Sequence, residues 1–188
     1  MKTVGVVLAG GLSSRMLEDK SQLIWQQNTL LEHTKKLLEK AGCSEVIVSH
    51  NQLQACVKDR YLQSGPLAGI EASLAYIAEN ISDVDFMLIM PVDMPLVPKQ
   101  LLTELMQKAV KDKAIYYPLG RFPLLLPVGD KLSKLLMEIL EKSDGGKAAS
   151  IKKLLSHFDN LILPLDKDQQ NVFFNCNTPE QWRSLSSN

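Results

Sequence analysis

A repeated unit constrains this chain most: a short, wholly apolar run, stopped by glycine, proline or a polar cluster, and followed by a helical pattern. Thr3-Val4-Gly5-Val6-Val7-Leu8 is the first such run and ends at Gly10-Gly11. Val46-Ile47-Val48 is the second and leads into Ser49-His50-Asn51; Phe86-Met87-Leu88-Ile89-Met90 is the third and leads into Pro91-Val92-Asp93-Met94-Pro95. A strand that is apolar at every position must be covered on both faces, which is the condition of a parallel sheet between helical layers. Between these runs, Leu30, Leu31, Thr34, Leu37, Leu38 and Ala41 mark one helical face, with Gly42 as its stop. Gly65-Pro66-Leu67-Ala68-Gly69 turns into a helix over Ile70 to Glu79, and Pro98 opens another that runs to Lys111. The alternation predicts an α/β fold with a doubly wound, mostly parallel central sheet.

The pattern changes after residue 113. Ala114 to Tyr117 and Phe122 to Val128 read as two strands joined at Leu119-Gly120-Arg121, a late antiparallel hairpin. Helices are expected at Lys131 to Glu141 and Lys147 to His157, strands at Leu161 to Leu163 and Val172 to Phe174, and a last short helix at Pro179 to Leu185. No linker divides the chain, and 188 residues suit one domain, residues 1–188.

Composition excludes whole classes of function. Lys and Arg number 21 and Asp and Glu number 21, so the formal charge is zero and no nucleic-acid or membrane-surface binder is expected. Cys43, Cys56 and Cys176 show no C-x-x-C spacing, which points to small apolar residues rather than disulfides or zinc ligands. Val4 to Ala9 is too short for a signal-peptide core and no run reaches membrane-spanning length, so a cytoplasmic protein is expected.

Chemistry is expected where strands end, because open α/β sheets bind ligands at the carboxyl ends of their strands. Gly10-Gly11 permits a tight turn with backbone N–H groups near phosphate oxygens; Ser13 and Ser14 add hydroxyls, Arg15 and Lys20 positive charge. That set suits a triphosphate, although an ordinary strand-to-helix turn with a solvated Arg and Lys would look the same. Neither the G-x-x-x-x-G-K-[ST] phosphate loop nor the G-x-G-x-x-G dinucleotide fingerprint is present. Asp93 stands at a strand end between Pro91 and Pro95; it is either a Mg²⁺ ligand or a turn residue. The small residues from Gly65 to Gly69, with Asp59 upstream, would let a base or ribose approach, or simply make a turn before a helix. Asn175 and Asn177, spaced by two, would share one face of a strand, while Asn177 or Thr178 could equally cap a helix that has Pro179 in its first turn.

The string Leu8-Ala9-Gly10-Gly11-Leu12-Ser13-Ser14-Arg15-Met16 with Asp19-Lys20 resembles the L-A-G-G-x-S-x-R-M-G-x-D-K signature of sugar-nucleotide-type nucleotidyltransferases. Asp59 with Gly65-Pro66-Leu67-Ala68-Gly69-Ile70, then Pro91-Val92-Asp93-Met94-Pro95, then Asn175-x-Asn177-Thr178-Pro179, make the whole succession similar to molybdenum cofactor guanylyltransferases of the MobA type. The likeness runs from Val4 to Trp182. It implies a three-layer α/β/α Rossmann-like sandwich and a Mg²⁺-dependent reaction. In that reaction GMP from GTP is joined to the terminal phosphate of molybdenum-carrying molybdopterin, with release of pyrophosphate. It further implies Leu8, Ala9, Gly10 and Gly11 against the nucleotide together with Ser49, Asp59 and Gly65, Arg15 and Lys20 as phosphate-binding cations, and Asp93 as the metal ligand. Asn175 and Asn177 would face the second substrate. GTP and a molybdopterin-type cofactor are the implied small-molecule partners, with other cofactor-biosynthesis proteins or molybdoenzymes as protein partners. Three positions depart from the family pattern: Leu17 for Gly, Ser49 for Asn, and Arg121-Phe122-Pro123 for a His-Pro. A cytidylyltransferase, a sugar-phosphate nucleotidyltransferase and a non-catalytic nucleotide-binding partner in cofactor delivery are the alternatives.

Overall fold

The computed structural model describes residues 1–10, 19–143 and 149–186. Strand β1 (Thr3–Leu8) is buried at every position, as its unbroken apolar sequence requires. It lies between β4 (Glu45–Ser49) and β5 (Phe86–Pro91), parallel to both. The register aligns Leu8 with Ser49 on one side and with Pro91 on the other, so three strands finish level with one another. Beyond β5 the sheet continues through β7 (Leu124–Pro127), β6 (Lys113–Tyr116) and β8 (Asp159–Ile162), in the order β4-β1-β5-β7-β6-β8. β7 runs against both neighbours and the other strands run together, so the sheet is mostly parallel and the expected late antiparallel pair is present. A small second ribbon, β2 (Ile24–Trp25) with β3 (Asn28–Thr29), lies outside this sheet.

Period-two alternation sends side chains to two separate cores. Val4, Val6 and Leu8 of β1 with Met87 and Ile89 of β5 face α2 (Pro66–Asn80), α4 (Asp130–Glu141) and α5 (Ile151–Leu155). Val7 with Phe86, Leu88 and Met90 faces α1 (Leu30–Ala41) and α3 (Lys99–Gln107). The result is a three-layer α/β/α sandwich. On α1 the buried positions are Leu30, Thr34, Leu38 and Ala41, and Gly42 ends the helix in a left-handed conformation at φ 110°. Its start is fixed by a reciprocal cap: Glu32 N donates to Thr29 Oγ1 (3.1 Å) and Thr29 N to Glu32 Oε2 (3.0 Å).

Several elements differ from the sequence expectation. Val172 to Phe174 is not a strand; residues Lys167–Phe173 form a 3-10 turn. This β-prone run pairs with no strand of the sheet and buries Phe173 against Tyr117 (ring centroids 5.4 Å apart). The helix expected from Lys147 begins at Ile151 because Ser150 Oγ accepts the Lys153 N–H and starts it there (3.2 Å). α3 stops at Gln107, short of Lys111. The closing helix, α6 (Pro179–Ser186), stands where expected, and its Trp182 meets Trp25 of the small ribbon at 5.9 Å between ring centroids.

Candidate active site

The level ends of β1, β4 and β5 form one edge, and the polar residues converge there. Ala9 N and Gly10 N both donate to the Ser49 carbonyl (3.0 and 3.1 Å), and Val92 N donates to the Leu8 carbonyl (3.1 Å). The Ala9 and Gly10 N–H groups are thus used to hold the chain to β4, not kept for a phosphate. Leu8 and Ala9 are buried, while Gly10 is exposed at the rim. Gly11, Arg15 and Leu17 lie outside the described residues.

Lys20 opens a short 3-10 turn (Lys20–Gln22) whose N-cap is Asp19. Its ammonium group donates to Asp93 Oδ2 at 3.2 Å and to Asn177 Oδ1 at 2.8 Å. The side chains of Lys20 and Asp93 are 15% and 19% exposed, sheltered enough to strengthen their pairing yet open to a ligand. An ammonium carries three N–H donors, and its contacts among the described residues use two of them. Lys20, Asp93 and Asn177 come from the start, middle and end of the chain, and the fold makes them one cluster.

Asn177 reaches Lys20 because the backbone beside it is docked on Asp93: Cys176 N donates to the Asp93 carbonyl (2.9 Å). No strand forms there, but burial alternates: Cys176 is buried while Asn175 and Asn177 are both exposed. Thr178 caps α6 by accepting the Gln181 N–H (3.3 Å), and Gln181 Oε1 accepts the N–H groups of Asn177 (2.7 Å) and Thr178 (3.0 Å). Capping by Thr178 leaves the Asn177 amide for Lys20, so the capping reading of this motif holds for Thr178. Burial, reinforced by the Asp93 charge and partly opposed by Lys20, pushes the Cys176 thiol up to about 11, which makes it an inert packing group at neutral pH.

Asp59 belongs to the β4 side of the edge. Its Oδ2 accepts from Asn51 Nδ2 (2.9 Å), its Oδ1 from Ser49 Oγ (3.4 Å), and its own N–H donates to Asn51 Oδ1 (2.8 Å). The carboxylate therefore closes the loop between residues 51 and 59. Asn51, two residues past Ser49, supplies an amide to it. Gly65 sits at φ 62°, ψ −156°, a region that only glycine occupies readily, and a Cβ there would meet nothing within 4 Å. Its need is conformational. The close approach falls instead on Gly69, where a Cβ would lie 2.6 Å from Ser49 Oγ.

Two residues escaped the sequence reading. His50 is 5% exposed; its Nε2 meets Asp19 Oδ2 at 3.0 Å. His33 on α1 donates from Nε2 to the Pro95 carbonyl (3.2 Å), tying that helix to the loop that carries Asp93, and burial holds its pKa below the usual imidazole value. Neither has a local signal: each reads as a lone His beside a helix face or a turn.

Among the described residues no cluster of three or more His, Cys, Asp or Glu could hold a metal, and no helix is long and apolar enough to cross a membrane. A resident metal centre is not built into the described residues. A single carboxylate such as Asp93 fits a Mg²⁺ ion that takes its remaining ligands from phosphate oxygens and water.

Residues 5–161 match the family model of the MobA-like NTP transferase domain. The chain is 33% identical over 182 residues to a molybdenum cofactor guanylyltransferase of Xanthomonas euvesicatoria pv. vesicatoria (strain 85-10), covering 96% of this chain and 93% of the relative. It is 31% identical over 197 residues to a probable molybdenum cofactor guanylyltransferase of Bacillus mycoides (strain KBAB4), covering 96% and 94%. In fold it is similar to the crystal structure of molybdopterin-guanine dinucleotide biosynthesis protein A from Archaeoglobus fulgidus, with a TM-score of 0.71, 19% identity, and 98% and 97% of the two chains covered. The chain belongs to the MobA-like NTP transferase family and is a nucleotidyltransferase.

Proposed function

We propose that this enzyme joins GMP from GTP to the terminal phosphate of molybdenum-carrying molybdopterin, in molybdenum cofactor biosynthesis. The observation that carries the reading is the Lys20–Asp93–Asn177 cluster at the carboxyl edge of the sheet, in a chain similar over nearly its full length to proteins of that name. A phosphate oxygen of the pterin attacks the α-phosphorus of GTP; the new P–O bond forms as the bond from the α-phosphorus to the α,β-bridging oxygen breaks, and its electron pair leaves with pyrophosphate. The attacking phosphate is ionised at neutral pH, so no general base is needed. The barrier is set by repulsion between two anions and by their alignment.

Lys20 supplies the fixed cation for the triphosphate, and Arg15 is assigned the same role. Asp93 would hold Mg²⁺, which supplies positive charge against the phosphates when bound. Leu8, Ala9, Gly10, Gly11, Ser49, Asp59 and Gly65 are assigned to the nucleotide. Asn177, with Asn175 exposed on the same side, is assigned to the pterin. The three cysteines are free thiols, in keeping with a reducing cytoplasm as the place of reaction.

The test is pyrophosphate release from purified protein with Mg²⁺, molybdopterin and each NTP in turn. GTP is expected to support turnover, and turnover with CTP alone would replace guanine by cytosine in this assignment. Asp93→Ala is expected to lower Mg²⁺-dependent turnover by at least about 100-fold while leaving the circular dichroism spectrum unchanged. Near-normal turnover from that folded variant would remove Asp93 as the metal ligand.

A further inference from the structure

Asp19 and Lys20 are neighbours in sequence, but their side chains are held by different strand ends. Lys20 reaches Asp93 just past β5, and Asp19 reaches His50 just past β4. The dipeptide therefore spans the edge over β1, and the position of the ammonium group depends on how firmly Asp19 is held.

The His50 ring is oriented by its own loop. Nδ1 accepts two backbone N–H groups, those of Gln52 and Leu53, each at 3.1 Å. A nitrogen that accepts carries no proton, so the ring hydrogen is on Nε2 and is donated to Asp19 Oδ2 at 3.0 Å. Asp19 Oδ1 accepts the Ser21 N–H at 2.9 Å, which caps the turn that Lys20 begins. Burial works against the charge on Asp19, but the bonds from Ser21 and from His50 hold its carboxyl below the ordinary value. One ring thus joins the loop after β4, through two backbone N–H groups, to the residue that sets the Lys20 turn. Ser49, one residue earlier, fixes Ala9 and Gly10 through its carbonyl, so consecutive residues hold both Gly10 and Asp19.

We propose that His50 is a positioning residue for nucleotidyl transfer: through its Nε2–H bond to Asp19 it sets where the Lys20 ammonium stands against the triphosphate. It makes no contact with the reacting atoms itself. The proposal rests on the reading of Lys20 as the phosphate cation.

The two functions of the ring can be separated by amides of different reach. In His50→Gln the side-chain NH₂ falls near the place of Nε2 and keeps a donor for Asp19. In His50→Asn the side-chain oxygen falls near the place of Nδ1 and keeps the acceptor for Gln52 and Leu53. The measurements are kcat and KM for GTP by pyrophosphate release, the dissociation constant of GTP without turnover, and the thermal unfolding midpoint. His50→Ala and His50→Asn are expected to lose about 10- to 100-fold in kcat, the scale of a misplaced catalytic group, and His50→Gln to recover to within about threefold. Asp19→Ala, which also removes the cap on Ser21, is expected to lose at least as much as His50→Ala, and the double variant to lose no more than Asp19→Ala alone.

Recovery in Asn but not Gln would make His50 a loop cap and overturn the proposal, as would equal loss or equal recovery in both. If His50→Ala does not fold, the Gln and Asn pair decides alone. Absence of pyrophosphate release from the wild-type protein with every NTP would sink the functional reading instead. The order of GTP dissociation constants, wild type and Gln tighter than Asn and Ala, then decides the positioning role separately.

Discussion

A lysine at this strand edge has its partners supplied from two distant stretches, and that determines what single substitutions should do. Lys20→Ala removes the cation and leaves Asp93 and Asn177 without their shared donor; turnover is expected to fall by roughly 100- to 1,000-fold, the scale of one electrostatic donor in a sheltered site. His33 gives a pH effect whose sign follows from its environment. Burial depresses its pKa in the folded state, so below the ordinary value of 6.5 the unfolded chain takes up a proton that the folded chain resists. Its contribution to stability is therefore complete above pH 6.5 and declines as the pH falls below that value. Urea midpoints measured between pH 7.5 and 5.5 should fall with acidification in the wild type and fall less in His33→Gln; equal slopes would remove His33 as the cause. Lys20, Asp93 and Asn177 were each singled out by residue type in the sequence, and the fold brings the three side chains together. His50 was not legible. Its role depends on two backbone N–H groups and one carboxylate, none of which a sequence pattern places beside an imidazole.

At the scale of elements, the first turn of α2 is pressed against the ends of β1 and β4. A methyl group on Gly69 would lie 2.6 Å from Ser49 Oγ and 3.0 Å from Leu8 Cδ2, so Gly69→Ala forces the buried Ser49 hydroxyl, which donates to Asp59, to move. Overpacking of about 1–3 kcal/mol outweighs the gain in helix propensity of about 1 kcal/mol. A net loss of stability is expected, together with a raised KM for GTP. Ser49→Ala should restore part of both in the double variant, and strict additivity would show that the contact is not the cause. Tyr117 makes a similar point in the other core: its buried hydroxyl, with one hydrogen to donate, lies within hydrogen-bond distance of Glu104 Oε2 (2.8 Å) and the Leu101 carbonyl (3.0 Å), both on α3. Tyr117→Phe is expected to cost about 1–2 kcal/mol in chemical denaturation. Element existence was readable for β1, α1, β5 and α4, whose periodicity is strong and whose stops are glycine, proline or polar residues. It failed at Val172 to Phe174, where local β preference had no partner strand to satisfy it.

For the whole molecule, binding energy becomes stability. A triphosphate and Mg²⁺ that bind only the folded chain should stabilise it by about 2.7 kcal/mol at a hundredfold excess over the dissociation constant. GTP is expected to raise the unfolding midpoint with Mg²⁺ present and to lose much of that effect after chelation by EDTA. A Mg²⁺-dependent part of that shift retained in full by Asp93→Ala would show that the metal is held elsewhere. Because the site is shared by β1, β4, β5 and the segment before α6, ligand should protect amides at both ends of the chain in hydrogen exchange.

The order of apolar runs and turns was enough to determine an α/β sandwich with a mostly parallel sheet, since doubly buried strands and one-faced helices have few other ways to pack. The residue types at the strand ends were enough to single out one edge of it as the place where polar residues gather. Tertiary structure alone decided how those residues are joined. It placed Asn177 against Lys20 by docking Cys176 on Asp93, turned the Asp59 carboxylate toward Asn51, and gave the Ala9 and Gly10 N–H groups to Ser49. It also set a buried imidazole behind Asp19. The physical reason is one of range: periodicity reports burial and local chain direction, whereas a hydrogen bond between residues 20 and 177 depends on where every intervening element has packed.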